Sequence, residues 1–472
     1  MTKEKLKKVF IIVFILYTVF SVSFYFLGGD QLKYRNSKGN IEMPEADSAT
    51  TEIISGTIVV QPFVNRVEDI DELSVSFAKL YKNVQGKVTV CLYNDEEVLM
   101  KKTVDLSKMD EKGTVTLTPE EPITGLKGHM LAIRIAASSK TDEGAVALVS
   151  KGTPGSRFMF DNEMIEGTLC FSLTGRDENY LGKYYWYIVA ASELLLGGLL
   201  LKSYSDYQKG KLNLIVRAIA AIYQYEFLIS QLVIRDFKSK YKRSILGVFW
   251  SFLNPLLTMT VQFLVFSTFF SNDTKNYPLY LLSGVVCFSF FSECTTMCLS
   301  SISGNSRLIT KVYIPKYIFP LARTISSAIN LGISLVPLLL ACLVLGSVLK
   351  PQAVLFFYFL ACLIVFSLGV GLFLSALMVF FRDIQFLWTV LTQIWMYATP
   401  IFYPAEIIPE RFKFIVRLNP LYHFIGNART CLISGISPEP RAYIFCLLFA
   451  LVALAIGAYT FKKTQDKFAL YL

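Results

Sequence analysis

Apolar runs long enough to cross a bilayer recur through this chain, and one stretch near its front is patterned differently. A membrane-crossing helix needs about 20 consecutive apolar residues. Eight runs come near that length: residues 9–29, 184–201, and then roughly 247–270, 278–300, 318–349, 351–381, 386–402 and 441–461. Pro255, Pro337 and Pro400 fall within or at the ends of these runs; bilayer helices tolerate proline when neighbouring groups satisfy the freed carbonyls. The first run follows Lys3, Lys5, Lys7 and Lys8. Read as a secretory signal, "SVS" at 21–23 would supply its small-residue cleavage site, but the run is long for a signal peptide, which favours an uncleaved anchor.

Between the first two runs the period changes. From about 52 to 173 short alternating segments such as "KVTVCLYN", "GTVTLTP" and "MLAIRIAAS" are separated by Gly, Asp, Asn and Pro. Alternation with a period of two predicts half-buried strands, and this spacing predicts an all-β sandwich, plausibly jelly-roll-like. The preceding "NSKGNIEMPEADSATT" is polar and reads as a linker.

Composition supports the membrane reading. With 53% apolar residues, a mean hydropathy of +0.48 and only 17% charged residues, the 472-residue chain is too apolar for a soluble domain. The net charge of +10 is unevenly spread: residues 28–182 hold 24 acidic and 17 basic residues, a net of −7, which leaves +17 for the remainder. Lys/Arg-rich loops on the inner side and an acidic outer segment account for that split, so the positive balance needs no nucleic acid partner. The expected topology has both termini cytoplasmic and residues 30–182 extracytoplasmic.

Candidate chemistry is sparse. There is no GxxxxGK[ST] phosphate loop, no GxSxG elbow and no dinucleotide fingerprint; an ATP-driven process would need ATP on another chain. His129 and His423 are the only histidines, and no His, Cys and carboxylate cluster suggests a metal site. Cys91 and Cys170 are the only cysteines of the outer segment, where a disulfide between them is an open alternative to two thiols. Glu193 and Glu293 fall inside apolar runs, where a carboxylate is expensive and either carries function or makes a structural hydrogen bond.

Residues 212–244 read as an amphipathic helix lying along the membrane interface, its end marked by Arg235, Asp236, Lys238, Lys240, Tyr241, Lys242 and Arg243. "GNSRLITKVYIPKYIFPLA" farther on reads as a short amphipathic helix, a proline, and then a long span. The resulting organisation is an anchor helix (1–29), an extracytoplasmic β domain (30–182), a second membrane helix (183–203), an interface helix (204–246) and a multi-pass membrane domain (247–472).

Six motifs in order carry a family resemblance: "RDFKSKYKRSILGVFWSFLNPLL", "SGVVCFSFFSE", "GNSRLITKVYIPKYIFPLA", "FFRDIQFLWTVLTQIWMYATPIFYP", "IIPERFKFIVRLNPL" and "FIGNARTCLISG". Together they resemble the permease subunits of ABC-2 type exporters, in the branch that exports O-antigen, teichoic acid and capsular polysaccharide, over about residues 213–472. The resemblance implies a six-helix permease in a bacterial cytoplasmic membrane, paired with a second copy of itself and with two cytoplasmic ATPase subunits that bind ATP and Mg. Its cargo would be a lipid-linked glycan. The resemblance further implies that Asn305, Arg307, Leu308, Lys311, Val312, Tyr313 and Pro315 belong to a helix coupling the permease to the ATPase, and that the strip at 235–243 touches the ATPase as well.

Aromatic side chains suit a path shared by sugar and lipid; candidates are Phe263, Phe266, Phe269, Phe270, Trp388, Trp395 and Tyr397, each with a packing role as the alternative. The two front spans and the β domain depart from the simplest family pattern, and Phe63, Tyr81 and Tyr93 are its candidate glycan platforms beside a core role. The rival function is an ATP-independent lipid-linked glycan flippase or channel, which leaves the coupling motif without a purpose.

Overall fold

The structure is a computed structural model describing residues 3–41, 43–50, 53, 56–79, 87–95, 97–105, 112–137, 145–150, 156–210, 213–241, 246–270, 276–312, 314–345 and 350–471. The chain divides into a β unit, residues 33–184, and a helical unit formed by residues 1–32 and 185–472.

The β unit contains β1 (Tyr34–Ile41), β2 (Ser48–Ala49), β3 (Ile58–Val64), β4 (Asp69–Lys79), β5 (Lys87–Asn94), β6 (Glu97–Asp105), β7 (Lys112–Leu117), β8 (Met130–Ala137), β9 (Ala145–Ser150), β10 (Arg157–Phe160), β11 (Glu163–Glu166), β12 (Thr168–Leu169) and β13 (Phe171–Glu178). One antiparallel sheet runs β11-β10-β3-β8-β5-β6; the other runs β1-β13-β4-β9-β12, with β2 on β9 and β7 on β4. Alternation sets which side chains face inward. Leu73, Val75 and Phe77 of β4 share one buried cluster with Val90 and Leu92 of β5, Ile133 and Ile135 of β8, and Phe171 and Leu173 of β13. On the opposite face of β4, Ser74 and Ser76 meet Thr116 and Thr114 of β7 by hydroxyl pairs of 3.0 and 3.3 Å. Only β5–β6 and β10–β11 pair as neighbours in sequence among the described residues, so most connections cross between the sheets.

Cys91 and Cys170 are both buried free thiols. Their burial pushes both thiols above the ordinary cysteine value. Phe63 packs against the core, 5.2 Å from the Phe171 ring, and Tyr93 lies under the Arg134 guanidinium at 5.9 Å. Tyr81 lies outside the described residues.

The helical unit begins with α1 (Lys3–Lys33). After α2 (Tyr180–Lys183), which closes the β unit, come α3 (Tyr185–Gln208), α4 (Leu214–Tyr241), α5 (Phe249–Phe270), α6 (Tyr277–Leu299), α7 (Ser306–Lys311), α8 (Ile318–Val344) and α9 (Phe356–Phe380). Then follow α10 (Ile384–Ala398), α11 (Glu410–Leu418), α12 (Pro420–Arg429), α13 (Pro440–Thr464) and α14 (Phe468–Tyr471). Seven helices among the described residues are long and apolar enough to cross a membrane: α1, α3, α5, α6, α8, α9 with the turn before it, and α13.

The seventh expected span, residues 386–402, is corrected. Its helix, α10, has 15 residues, about 22 Å at ~1.5 Å per residue against a hydrocarbon core of ~30 Å. Pro400 explains the stop, because the residue before a proline is driven out of the helical region, and Thr399 is extended at φ −101°, ψ 131°.

Helix α6 is buried nearly all round, as expected of a helix apolar on every face and surrounded by others. Helices α9 and α13 approach so closely that a Cβ on Gly457 would collide with the Gly369 carbonyl; small residues permit such contact in membrane bundles. At the front, the Tyr17 hydroxyl meets the Ser192 hydroxyl at 2.7 Å, and the Tyr185 hydroxyl donates to the Ser21 carbonyl at 2.6 Å, fastening α1 to α3. Leu6 and Phe10 of α1, Leu200 of α3 and Val216 of α4 form a separate cluster.

Candidate functional site

The amphipathic pattern of α4 resolves into two sides. Ile229, Leu232 and Val233 are buried, while Phe227 and Ile234 are exposed. The buried set shares one cluster with Ile302, with Ile309 of α7, with Ile318, Phe319 and Ala322 of α8, and with Phe468 of α14. One face of the six-residue α7 is thus seated in the bundle. Its other face carries Arg307, Thr310 and Lys311, all exposed, followed by exposed Val312. Leu308 is half-buried against the same cluster, and Pro315 lies in the non-helical segment leading to α8. Behind that segment the Lys316 ammonium donates to the Gln465 carbonyl at 2.5 Å.

A polar network holds α4 to α7 and α8. Arg235 donates through Nε and one terminal nitrogen to Asp236 Oδ1, at 3.3 and 3.1 Å, and through the other to Asn305 Oδ1 at 3.0 Å. Asn305 is buried at the turn entering α7, and its amide donates to the Ser301 carbonyl at 2.7 Å. The second oxygen of Asp236 lies 3.0 Å from Arg323 Nη1 on α8 without hydrogen-bond alignment, so that contact is a charge pair. The Asp236 side chain is 4% exposed. A carboxylate buried so deeply requires compensating charge, and two guanidinium groups supply it.

A second polar group lies one turn along α4. Lys240 Nζ is 2.8 Å from Glu293 Oε1, which also accepts from Asn330 Nδ2 at 2.7 Å. Glu293 is therefore a paired carboxylate joining α4, α6 and α8. Glu193 on α3 is half-buried and makes no hydrogen bond or ion pair among the described residues. The Asp236 network and the Lys240–Glu293 pair line one pocket of ≈ 620 Å³ that also reaches Ser239, Met297 and Gly304. Lys238 is exposed on α4. The side chain of Tyr241, and Lys242, Arg243 and Tyr313 altogether, lie outside what is described.

The aromatic candidates separate by environment. Trp388 is buried, with its indole N–H donating to Thr295 at 3.2 Å. Trp395 donates to Asn419 at 2.8 Å. Phe263 and Phe266 pack against the main helical core, and Phe266 stacks on Phe402 at 5.5 Å. Tyr397 is exposed. Phe269 and Phe270 end α5, and their side chains are outside the described part.

Sequence reasoning missed the geometry around Arg429. This buried residue at the end of α12 donates to the carbonyls of Pro400 (2.7 Å), Tyr280 (2.9 Å) and Ile401 (3.1 Å) and to the Ser283 hydroxyl (3.3 Å). Its guanidinium also lies 3.5 Å from the centre of the Tyr280 ring. The only local signal is Gly284 in "SGVVC": a Cβ there would run into the guanidinium. Asn419 caps α12 by accepting from the Leu421 N–H at 3.1 Å, and it donates to Thr399 at 2.8 Å. The proline break after α10, the α12 cap and the buried arginine together fix the segment 399–429 as one folded piece.

A multi-pass helical membrane unit with a short braced helix between its spans is the class this geometry defines. Residues 228–433 match the family model described as ABC-2 type transporter. The chain is similar to the O-antigen export system permease protein of Myxococcus xanthus, 28% identical over 256 residues, covering 54% of this chain and 98% of that protein. It is similar to the polysialic acid transport protein of Escherichia coli at 21% over 244 residues, 50% of this chain and 93% of the relative. A capsule polysaccharide export inner-membrane protein of Neisseria meningitidis serogroup A is 24% identical over 236 residues, 49% of this chain and 88% of the relative.

Proposed function

We propose that this chain is the membrane-spanning subunit of an ABC transporter that exports a lipid-linked polysaccharide across the cytoplasmic membrane, with ATP hydrolysed on a separate subunit. The observation that carries this reading is α7: one face is anchored in the bundle through Ile309 and Asn305, while Arg307 and Lys311 remain exposed on the other. A short helix braced from behind and cationic in front suits docking into a soluble partner, because a packed element moves as a rigid lever. The similarity to O-antigen and capsule exporters supports the cargo class.

The arrangement we favour has two copies of this chain and two ATPase subunits, both termini on the cytoplasmic side, and residues 30–182 outside. The short α10 begins near the end of α9, and the segment 399–429 that follows it is held to the first turns of α6 through Arg429, Tyr280 and Ser283, so α10 and that segment together make the crossing from which α13 returns the C-terminus to the cytoplasmic side. The β unit, which we read as a β-sandwich of jelly-roll type, would then serve outside the membrane as a binding or assembly module. The test is deletion of the gene in its native cell followed by staining of the surface glycan. Loss of surface glycan with accumulation of its lipid-linked form inside is the expected result; an unchanged surface would contradict the proposal.

A further inference from the structure

Helix α7 is too short to hold its own direction. Its six residues make under two turns, and a helix of that length has little stability without tertiary contacts, so its orientation is set by what grips each end. At the entering end Asn305 is held by Arg235 of α4. At the leaving end Val312 is already extended, at φ −131° and ψ 132°, and the chain runs on to Lys316, just ahead of α8. The Lys316 ammonium donates to the Gln465 carbonyl at 2.5 Å and lies 5.7 Å from the centre of the Phe468 ring. Both partners belong to the segment after the last span, where a tight turn, Gln465–Lys467, leads from α13 into α14. A carbonyl near a helix C-terminus carries partial negative charge and an aromatic face attracts a cation, so both contacts hold the same ammonium.

Phe468 fixes this segment in place. It is fully buried, in the cluster that contains Ile309 of α7, Ile318 and Phe319 of α8, and Ala376 and Val379 of α9. Its ring meets Phe461 of α13 edge-on at 5.3 Å and Phe380 of α9 at 6.0 Å, and Tyr471 meets Phe380 as well, at 4.9 Å. Helices α9 and α13 are themselves in close backbone contact at Gly369 and Gly457. A displacement at Lys316 therefore reaches the α9–α13 pair through packed side chains.

We propose that Lys316 and Phe468 are positioning residues for α7, and that the segment 465–471 is its second anchor. An element held at one end rotates about that point, whereas one held at both ends transmits a push as a rigid body. The second anchor stops α7 from pivoting about Asn305 and carries its movement into α9 and α13. The proposal rests on the exporter reading above and names a second route from α7 into the spans, beside the one through α4.

The experiment compares the full chain with Lys316→Met, Lys316→Arg and Phe468→Ala, each with its co-purified ATPase in proteoliposomes holding lipid-linked glycan extracted from the native membrane. Lys316→Met keeps the aliphatic stem and removes the ammonium; transport per ATP is expected to fall about threefold, while the ATPase is recovered as with wild type because Arg307 and Lys311 are untouched. Lys316→Arg restores a donor and a cation over the ring and is expected to recover most of that loss. Phe468→Ala empties a buried position and is expected to lower transport per ATP about tenfold; the half-buried Lys316→Met decides the question if that variant fails to fold. Transport per ATP equal to wild type in Lys316→Met overturns the proposal, as does a fall that Lys316→Arg leaves unrepaired or that goes with an equal loss of bound ATPase. In the chain without partner, hydrogen exchange of the α7 amides is expected to be about threefold faster in Lys316→Met, and equal exchange overturns the second anchor. That readout needs no ATPase, so failure of this inference is distinguishable from failure of the exporter reading, which shows in the surface-glycan assay.

Discussion

The Arg235 guanidinium donates across 3.0 Å to the side-chain oxygen of Asn305, joining the end of the interfacial helix to the turn that enters α7, 70 residues farther along the chain. Since Asp236 holds the same guanidinium from the other side and reaches Arg323 on α8, displacement of α7 is carried directly into α4 and α8.

Replacing Asn305 by Leu is expected to separate coupling from folding. The buried apolar contacts of Ile309 and Ile302 remain, while the bond to Arg235 is lost. Transport per ATP hydrolysed, measured in proteoliposomes with the ATPase partner, should fall about tenfold, the scale of one charge-assisted hydrogen bond. Unchanged coupling would show that the brace transmits nothing.

Asp236→Asn tests the electrostatics of the same joint. Removing one member of a buried charge cluster leaves the others without compensation. Arg235 is half-exposed and water will screen it, so the expected loss is about 1–2 kcal/mol, arising mainly through Arg323. Thermal unfolding of the purified protein should show a lower midpoint; an equal or higher one would contradict the assigned pairing.

Arg429 and Gly284 should behave as a pair. Arg429→Met leaves the carbonyls of Pro400, Ile401 and Tyr280 short of a donor and is expected to cost about 3 kcal/mol. Gly284→Ala is expected to destabilise wild type by displacing the guanidinium and to cost much less in the Arg429→Met background. Additive losses in that double-mutant cycle would mean that the two positions act separately.

The thiols of Cys91 and Cys170 are expected to stay unlabelled by maleimide at pH 7.5 until the protein is denatured. Burial raises both thiol values, so the reactive thiolate is scarcer than for an exposed cysteine and grows only as the pH is raised further. Rapid labelling of the folded protein at pH 7.5 would contradict their burial.

Much of this architecture was legible because membrane spans and exposed strands leave strong periodic marks. The long apolar runs became helices α1, α3, α5, α6, α8, α9 and α13, and the alternation of "KVTVCLYN" became β5. The run at 386–402 was misleading because apolar character continues past Pro400 although the helix does not. Partnerships across long sequence distances were not legible. Glu293 read as an isolated carboxylate because Lys240 is 53 residues away, and Arg429 gave no hint of oxygens supplied by residues 280, 283, 400 and 401. The two-sheet arrangement was hidden for the same reason: pattern marks a strand's buried face without saying which partner lies beside it.

The most direct measurement is affinity purification of this chain from its native membrane in mild detergent, comparing wild type with the Arg307→Glu, Lys311→Glu variant. Both residues are exposed on α7, so charge reversal should leave the fold intact while opposing a docked partner. The expected result is a P-loop ATPase at about one copy per chain with wild type and its loss with the variant. Absence of any ATPase from the wild-type complex, or equal recovery with both, would contradict the account of α7 as the coupling element of an ABC exporter.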